Sequence, residues 1–333
     1  MNGFGRLFRV SLLGESHGPC VGVVIDGCPP GLPLAAADFE ADLGRRRAGA
    51  QGTTARAEAD APEILSGVHA GHTTGTPILV LFRNADARPA DYDAFLRVPR
   101  PGHADYTGQV RYRGFADLRG GGHFSGRVTA GLVAAGVIAK RLLPGARFSS
   151  RIVEAGGRAD VEAAVAAAME AQDSVGGLVE VRVSGLPAGL GEPFFGSVEG
   201  LIAEAVFAVP GVRGVEFGDG FRAAAMRGSE HNDPFVSADG RTARNGSGGV
   251  NGGITNGNEL LFRAAVKPTS TIGAPQSTLD FSSGEETTLR GEGRHDACIA
   301  LRAAVVIEAA AAIVLADLAL LARGYDYAIG ANA

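Results

Sequence analysis

Cys298-Ile-Ala-Leu-Arg-Ala-Ala-Val-Val-Ile-Glu-Ala-Ala-Ala-Ala-Ile-Val-Leu-Ala-Asp-Leu-Ala-Leu-Leu-Ala-Arg323 decides the fold. From Ala303 to Leu321 it is almost wholly apolar and long enough to cross a bilayer. Glu308 and Asp317 interrupt it, and much of the rest is Ala. A charged side chain at the centre of a bilayer is costly. The expectation is a helix over Cys298 to Arg323 buried in a protein core, with no membrane.

A second helix of this kind is expected over Ser125 to Leu143. Val128, Leu132, Val133, Val137 and Ile138 hold one apolar stripe, and Pro144 stops it. Around these two lie shorter elements. Phe8 to Leu13 and Val21 to Ile25 read as a hairpin. Asp38 is placed to cap a helix running to Arg47. Ile78 to Phe82, Leu178 to Val183, Val212 to Phe217 and Leu260 to Val266 read as strands, and Val161 to Met169 and Val198 to Phe207 as helices. Ala48 to Ala61 and Asn84 to Tyr106 read as loops. Asn245 to Asn258, with six glycines and four asparagines, reads as having no regular element. Strands and helices mix without strict βαβ alternation, which favours α+β and a single domain over 1–333. Arg119-Gly-Gly-Gly-His123 and Gly291-Glu-Gly-Arg-His295 each precede a long helix. Two similar halves, or coincidence in an Ala- and Gly-rich chain, would account for that echo.

The 333 residues carry 31 Lys plus Arg against 36 Asp plus Glu, a net charge of -5. That balance argues against a non-specific nucleic-acid binder. Only Lys140 and Lys267 are lysines, a skew best read as codon bias. Cys20, Cys28 and Cys298 are too few and too scattered for a disulfide framework, and no apolar leader is evident, so a cytoplasmic setting is expected.

No Gly-x-Gly-x-x-Gly, Walker A run or HExxH occurs, and no Cys/His spacing suggests a metal. Gly14-Glu-Ser-His-Gly18 matches a nucleophile elbow in form, but only thirteen residues precede it. The better use is an imidazole on flexible backbone at a strand end, ready for proton transfer. Arg45-Arg-Arg47 would also suit a helix C-terminus for reasons of dipole alone. Pro99-Arg-Pro-Gly-His-Ala-Asp105 is a pinned loop presenting Arg and His to an anion. Arg119 to Arg127 opens a helix with bare amides, which favour anions. Asn251-Gly-Gly-Ile-Thr-Asn-Gly257 and Lys267-Pro-Thr-Ser-Thr271 also expose donors. Asp296 suits a helix cap. Together these describe a site for polyanions, richer in Arg than in acids.

In this order the segments Gly14–Gly18, Arg45–Arg47, Arg100-Pro-Gly-His-Ala-Asp105, Arg119–His123, Gly214-Val-Glu-Phe-Gly218, Gly252-Gly-Ile-Thr-Asn-Gly257, Lys267–Ser270 and Gly293-Arg-His-Asp296 resemble the chorismate synthase family over almost the whole chain. The resemblance implies a sandwich of central helices between antiparallel sheets, assembled as a homotetramer. It implies a lyase acting on a carbon–oxygen bond to phosphate, in the shikimate pathway to aromatic amino acids. The reaction is the anti-1,4-elimination of phosphate from 5-enolpyruvylshikimate 3-phosphate to chorismate, dependent on reduced FMN. NADPH or a separate flavin reductase would supply the electrons.

By the same resemblance His17 is the acid for the leaving phosphate and His103 the partner of the reduced flavin. Asp296 acts with flavin N5 on the C6 proton, and Ser16 and Ser125 relay protons. Arg46, Arg100, Arg127 and Arg294 hold substrate anions, Arg294 lying also near the flavin. His123, Phe124, Ser125, Gly211, Gly252, Lys267, Pro268, Thr269, Ser270 and Thr271 form the FMN cradle. The chain departs from the commoner pattern at Phe124-Ser-Gly-Arg-Val-Thr129, at Ala50-Gln51-Gly52 where a further Arg is usual, and at Ala297 where Pro is usual. It is also short between Pro144 and Asp173.

Overall fold

The computed structural model describes residues 2–49, 51–54, 58–85, 95–291 and 296–329, the last five by backbone alone. A five-stranded sheet runs in the order β1 (Gly3–Phe4), β2 (Arg9–Gly14), β3 (Cys20–Asp26), β7 (Ile78–Arg83), β4 (Glu63–Ser66). A four-stranded sheet runs in the order β10 (Val212–Phe217), β13 (Leu260–Val266), β9 (Gly177–Ser184), β8 (Arg147–Ala155). Three two-stranded ribbons are peripheral: β5 (Val68–His69) with β6 (His72–Thr73), β11 (Val250–Asn251) with β12 (Ile254–Thr255), and β14 (Gln276–Leu279) with β15 (Glu286–Leu289). The pairings among these strands are antiparallel.

The helices are α1 (Glu40–Arg46), α2 (Asp105–Arg111), α3 (Thr129–Arg141), α4 (Val161–Glu170), α5 (Val198–Phe207), α6 (Gly228–His231) and α7 (Ala300–Ile329). Between the sheets lie α3 and α7, α3 against β3 and α7 against β8 and β9. This is the α+β sandwich that the sequence leads one to expect.

Strand alternation builds the two inner faces. Val21, Val23 and Ile25 of β3 stand opposite Phe82, Val80 and Ile78 of β7, and all six are buried. Val179, Val181 and Val183 of β9 stand opposite Ala264, Phe262 and Leu260 of β13 in the same way. Burying each such branched or aromatic side chain contributes about 1.5–3 kcal/mol.

The two helices meet through small residues. A Cβ at Gly136 would lie 2.4 Å from the Ala309 Cβ, so only glycine permits this approach. A Cβ at Gly131 would lie 2.7 Å from the Gly22 carbonyl oxygen, which fixes how closely α3 sits on β3.

The apolar stretch of α7 (mean hydropathy 2.4) is covered by protein. Its two acids each have a structural task. Asp317 accepts from the backbone N–H groups of Arg6, Leu7 and Phe8, at 3.1, 2.7 and 2.8 Å, and so ties the strand β2 entry to the helix. Glu308 accepts from Arg45 Nη1 at 3.0 Å, Arg45 Nη2 at 2.8 Å, Ser150 Oγ at 2.7 Å and Lys140 Nζ.

Three local expectations are corrected, and one strand is added. Asp38 does not cap a helix running to Arg47; its Oδ2 accepts from Ala35 N across a short 3₁₀ turn, Ala36–Phe39, and α1 begins at Glu40. Of the expected loop Asn84 to Tyr106, residues 86–94 lie outside the described residues, and its last two residues belong to α2, which begins at Asp105. Val250–Asn251 and Ile254–Thr255 pair into a small hairpin within the glycine-rich stretch. The strand β8 was not foreseen: its burial does not alternate cleanly, and a register shift near Ile152 breaks the period.

Candidate active site

Two adjoining cavities open at the N-terminal ends of α3 and α7. The smaller is about 210 Å³ and the larger about 660 Å³. They share a wall of Gly120, Ser125, Gly126, Thr129, Pro210, Thr269, Thr271 and Ile299. Their chemistry differs. Arg46, Arg47, Arg100, Arg127 and Arg302 line the smaller, against Glu58, Asp60 and Asp296. Val10, Leu12, Leu132, Ala310 and Ile313 give the larger an apolar floor.

The arginines are held in fixed planes. Asp60 is shared by two of them: Oδ2 accepts from Arg46 Nη1 at 2.8 Å, and Oδ1 from Arg127 Nη1. Arg46 also donates from Nε to Thr129 Oγ1 at 3.1 Å and from Nη2 to the Gly126 carbonyl at 2.8 Å. Arg127 donates from Nε to Asn84 Oδ1 at 2.9 Å. Burial pulls the Arg46 pKa down to about 10, partly offset by the Asp60 charge, so it stays a cation at neutral pH. Arg100 grips Asp105 through Nε and Nη2, both at 2.8 Å, and donates from Nη1 to Thr271 Oγ1 at 3.1 Å. It stacks 4.4 Å above the Phe95 ring. Burial alone would raise the Asp105 pKa, but hydrogen bonds from Arg100 and His103 hold it well below the usual carboxylate range.

The glycine run places the histidines. Gly120, Gly121 and Gly122 all have positive φ, at 61°, 82° and 54°. A Cβ at Gly120 would fall 2.0 Å from His17 Nδ1, so the bare backbone lies directly on that imidazole. His17 occupies the β2–β3 turn, is 8% exposed and lines the smaller cavity. His103 lines the larger one. Its Nδ1–H donates to the Asp105 carboxylate at 2.7 Å, which holds the ring in place. Nδ1–H of His123 donates to the Gly14 carbonyl at 2.8 Å.

Ser125 caps the 3₁₀ turn that leads into α3, its Oγ accepting from Arg127 N at 3.3 Å. The run Arg119–His123 therefore precedes α3 as a loop and does not itself open the helix. Phe124 packs on Gly108, whose Cβ would lie 2.9 Å from its ring.

On the far side of the larger cavity Lys267 Nζ donates to the Gly102 carbonyl and, at 2.9 Å, to Ser270 Oγ. Its pKa is lowered by burial and by the charge of Arg213. Thr269 Oγ1 is buried and makes no hydrogen bond among the described residues. Gly211 completes this wall, with its carbonyl accepting from Lys267 N at 2.8 Å.

Most of the expected site residues converge here, with exceptions. Ser16 is buried behind the glycine run, donating from its backbone N–H to the Gly122 carbonyl at 3.0 Å, and lines neither cavity. Gly252 lies in the β11–β12 turn, where a Cβ would meet nothing within 4 Å, and lines neither cavity. Arg294 lies outside the described residues. Asp296 does not cap α7. Its Oδ1 accepts from Thr54 N at 2.9 Å, and Arg302 Nη1 stands 3.4 Å from Oδ2. Asp60, Thr54, Phe95 and Arg302 escaped the sequence reading. Asp60 sits at φ 48° in a loop with no periodicity to mark it. Arg302 carried one legible signal, a cation in the first turn of a helix.

Fold and site together define an α+β protein with an arginine-lined cavity beside an apolar one. The family model described as Chorismate synthase matches residues 8–320. The chorismate synthase of Chitinophaga pinensis is 58% identical over 322 residues, covering 96% of this chain and 97% of that protein. That of Methanosarcina acetivorans is 46% identical over 348 residues, covering 95% of each. A solved structure described as Crystal Structure of Chorismate Synthase superimposes with a TM-score of 0.73 at 28% identity, covering 96% of this chain and 93% of that one. The chain belongs to the chorismate synthase family.

Proposed function

We propose that the protein eliminates phosphate from 5-enolpyruvylshikimate 3-phosphate in a 1,4-anti sense to give chorismate, with reduced FMN bound in the larger cavity. The observation that carries this is the pairing of an arginine-walled cavity with an apolar one across a shared wall. A phosphorylated dicarboxylate suits the first. A flat aromatic ring with a phosphate tail suits the second, whose volume lies within the range of about 300–1,000 Å³ usual for cofactor pockets.

The fit of the flavin rests on specific groups. The apolar floor would take the ring. Thr269 Oγ1, buried without a partner among the described residues, and the Lys267–Ser270 cluster offer donors for the tail. His123, Phe124, Ser125 and Gly211 complete the wall. Reduced flavin supplies an electron-rich ring beside the substrate. Electrons would come from NADPH or from a separate reductase.

The chain's own residues do the rest. Arg46, Arg100 and Arg127 orient the substrate anions, and because Asp60 and Asp105 already fix their planes, little ordering is needed on binding. His17 donates the proton that lets phosphate leave, an imidazole being a side chain suited to general acid work. Asp296, oriented by Thr54 N–H, takes part in removing the C6 proton. His103, held by Asp105, lines the flavin pocket. Assembly as a homotetramer and a cytoplasmic setting belong to the same proposal.

Ester hydrolysis through Ser16 is disfavoured, since its side chain is 1% exposed and lines no cavity. The test is an anaerobic assay with dithionite-reduced FMN and 5-enolpyruvylshikimate 3-phosphate, following phosphate and chorismate together. Equal release of both is expected; folded, FMN-loaded protein that releases neither would refute the reading.

A further inference from the structure

Arg302 is unlike Arg46, Arg100 and Arg127 of the smaller cavity. Arg46, Arg100 and Arg127 commit all three guanidinium nitrogens to protein acceptors. Arg302 commits one firmly, Nε to the Arg46 carbonyl at 2.9 Å. Its Nη1 stands 3.5 and 3.4 Å from the Asp296 oxygens, at the outer limit for a hydrogen bond. Its Nη2 donates to nothing among the described residues. Its position is also electrostatically adverse: it lies in the first turn of α7, where helix amides already present positive charge. An arginine kept only for packing gains nothing there, whereas one that meets an anion together with those amides does.

We infer that Arg302 binds an oxyanion of the substrate directly through Nη1 and Nη2, releasing Asp296 from its stretched contact as the ligand enters. The inference rests on the proposed reading of the cavity as the substrate pocket. No covalent step is involved; the planar fork exchanges a weak internal contact for a bidentate external one.

The test uses the full chain and two variants, Arg302→Gln and Arg302→Lys. Binding of 5-enolpyruvylshikimate 3-phosphate, inorganic phosphate and shikimate is measured by calorimetry, with FMN binding as the control for a folded site. For Arg302→Gln, FMN affinity is expected within about threefold of wild type, while the substrate binds about tenfold or more weakly and KM rises alike. Loss confined to shikimate identifies a carboxylate as the partner, and loss confined to inorganic phosphate identifies the phosphate. Arg302→Lys keeps the cation without the fork, folds if Arg302→Gln does not, and is expected to raise KM by about threefold or more. Unchanged KM and substrate affinity in either variant overturn the inference, as does a fall in kcat at constant KM, which would leave Arg302 only orienting Asp296. If wild type itself binds none of the three ligands, the reading of the pocket falls first.

Discussion

Arg45 and Arg46 are neighbours in the chain and serve two different ionic clusters on opposite sides of α1. Arg45 and Lys140 join Ser150 around Glu308, a carboxylate 1% exposed whose oxygens are fully occupied by these partners, and both cations also pair with Asp42, so two cations meet two anions. Arg46 joins four more arginines around a cavity with three carboxylates. The first cluster is closed and fills its space with protein. The second carries surplus positive charge around a space about 210 Å³ in volume. A balanced buried network stabilises one arrangement of the chain; an unbalanced one that keeps a cavity leaves positive charge lining open space.

The comparison breaks most sharply at the histidines. His17→Ala and His103→Ala touch only the open cluster, so turnover is expected to fall by about 10²–10⁴-fold with the melting temperature nearly unchanged. A wild-type rate in both would remove the roles assigned to them, and steady-state kinetics on reduced enzyme decides it.

Glu308→Gln should do the reverse. It leaves Arg45 and Lys140 with Asp42 as their remaining anion, at a cost of about 1.5–3 kcal/mol in urea unfolding, while KM for substrate stays as in wild type. Burial raises the Glu308 pKa, but the Arg45 hydrogen bond and the Lys140 charge outweigh it and bring it from 4.5 to about 2. The folded pKa is depressed, so the stabilisation is complete above about 4.5 and is lost as pH falls toward about 2. The gap between wild type and Glu308→Gln should therefore narrow over that window.

Gly136→Val tests the helix contact that holds both clusters in place. The added side chain cannot fit against Ala309, and about 1–3 kcal/mol of stability should be lost. An undiminished melting curve would mean that α3 and α7 can move apart freely. The smallest effect is expected from Lys267→Ala, which removes one hydrogen-bonding cation from the larger cavity and should weaken FMN binding by about tenfold, read by flavin fluorescence, with substrate affinity unaffected.

Much of this was legible in the chain. Apolar periodicity marked α3, a long apolar run marked α7, short apolar runs marked β3 and β7, alternation marked β9, and Arg, His and Gly runs marked residues that line the cavities. Less legible were residues whose meaning depends on a distant partner. The triple Arg45-Arg46-Arg47 reads as one basic run, and nothing local says that Arg45 turns to α7, Arg46 to Asp60 and Arg47 to Glu40. Asp60 has no pattern at all, although it is shared by two arginines that lie 14 and 67 residues away.

By itself, then, the sequence determined which segments must be buried and which chemistry must gather, because hydrophobic periodicity and residue type are local properties. Tertiary structure alone decided which arginine is spent on structure and which lines a cavity, that Gly252 and Ser16 stand outside the cavities, and that Arg302 stands within one. Those outcomes depend on pairings across the two sheets and the helix layer, and electrostatic partnership is set by distance in space rather than by distance along the chain.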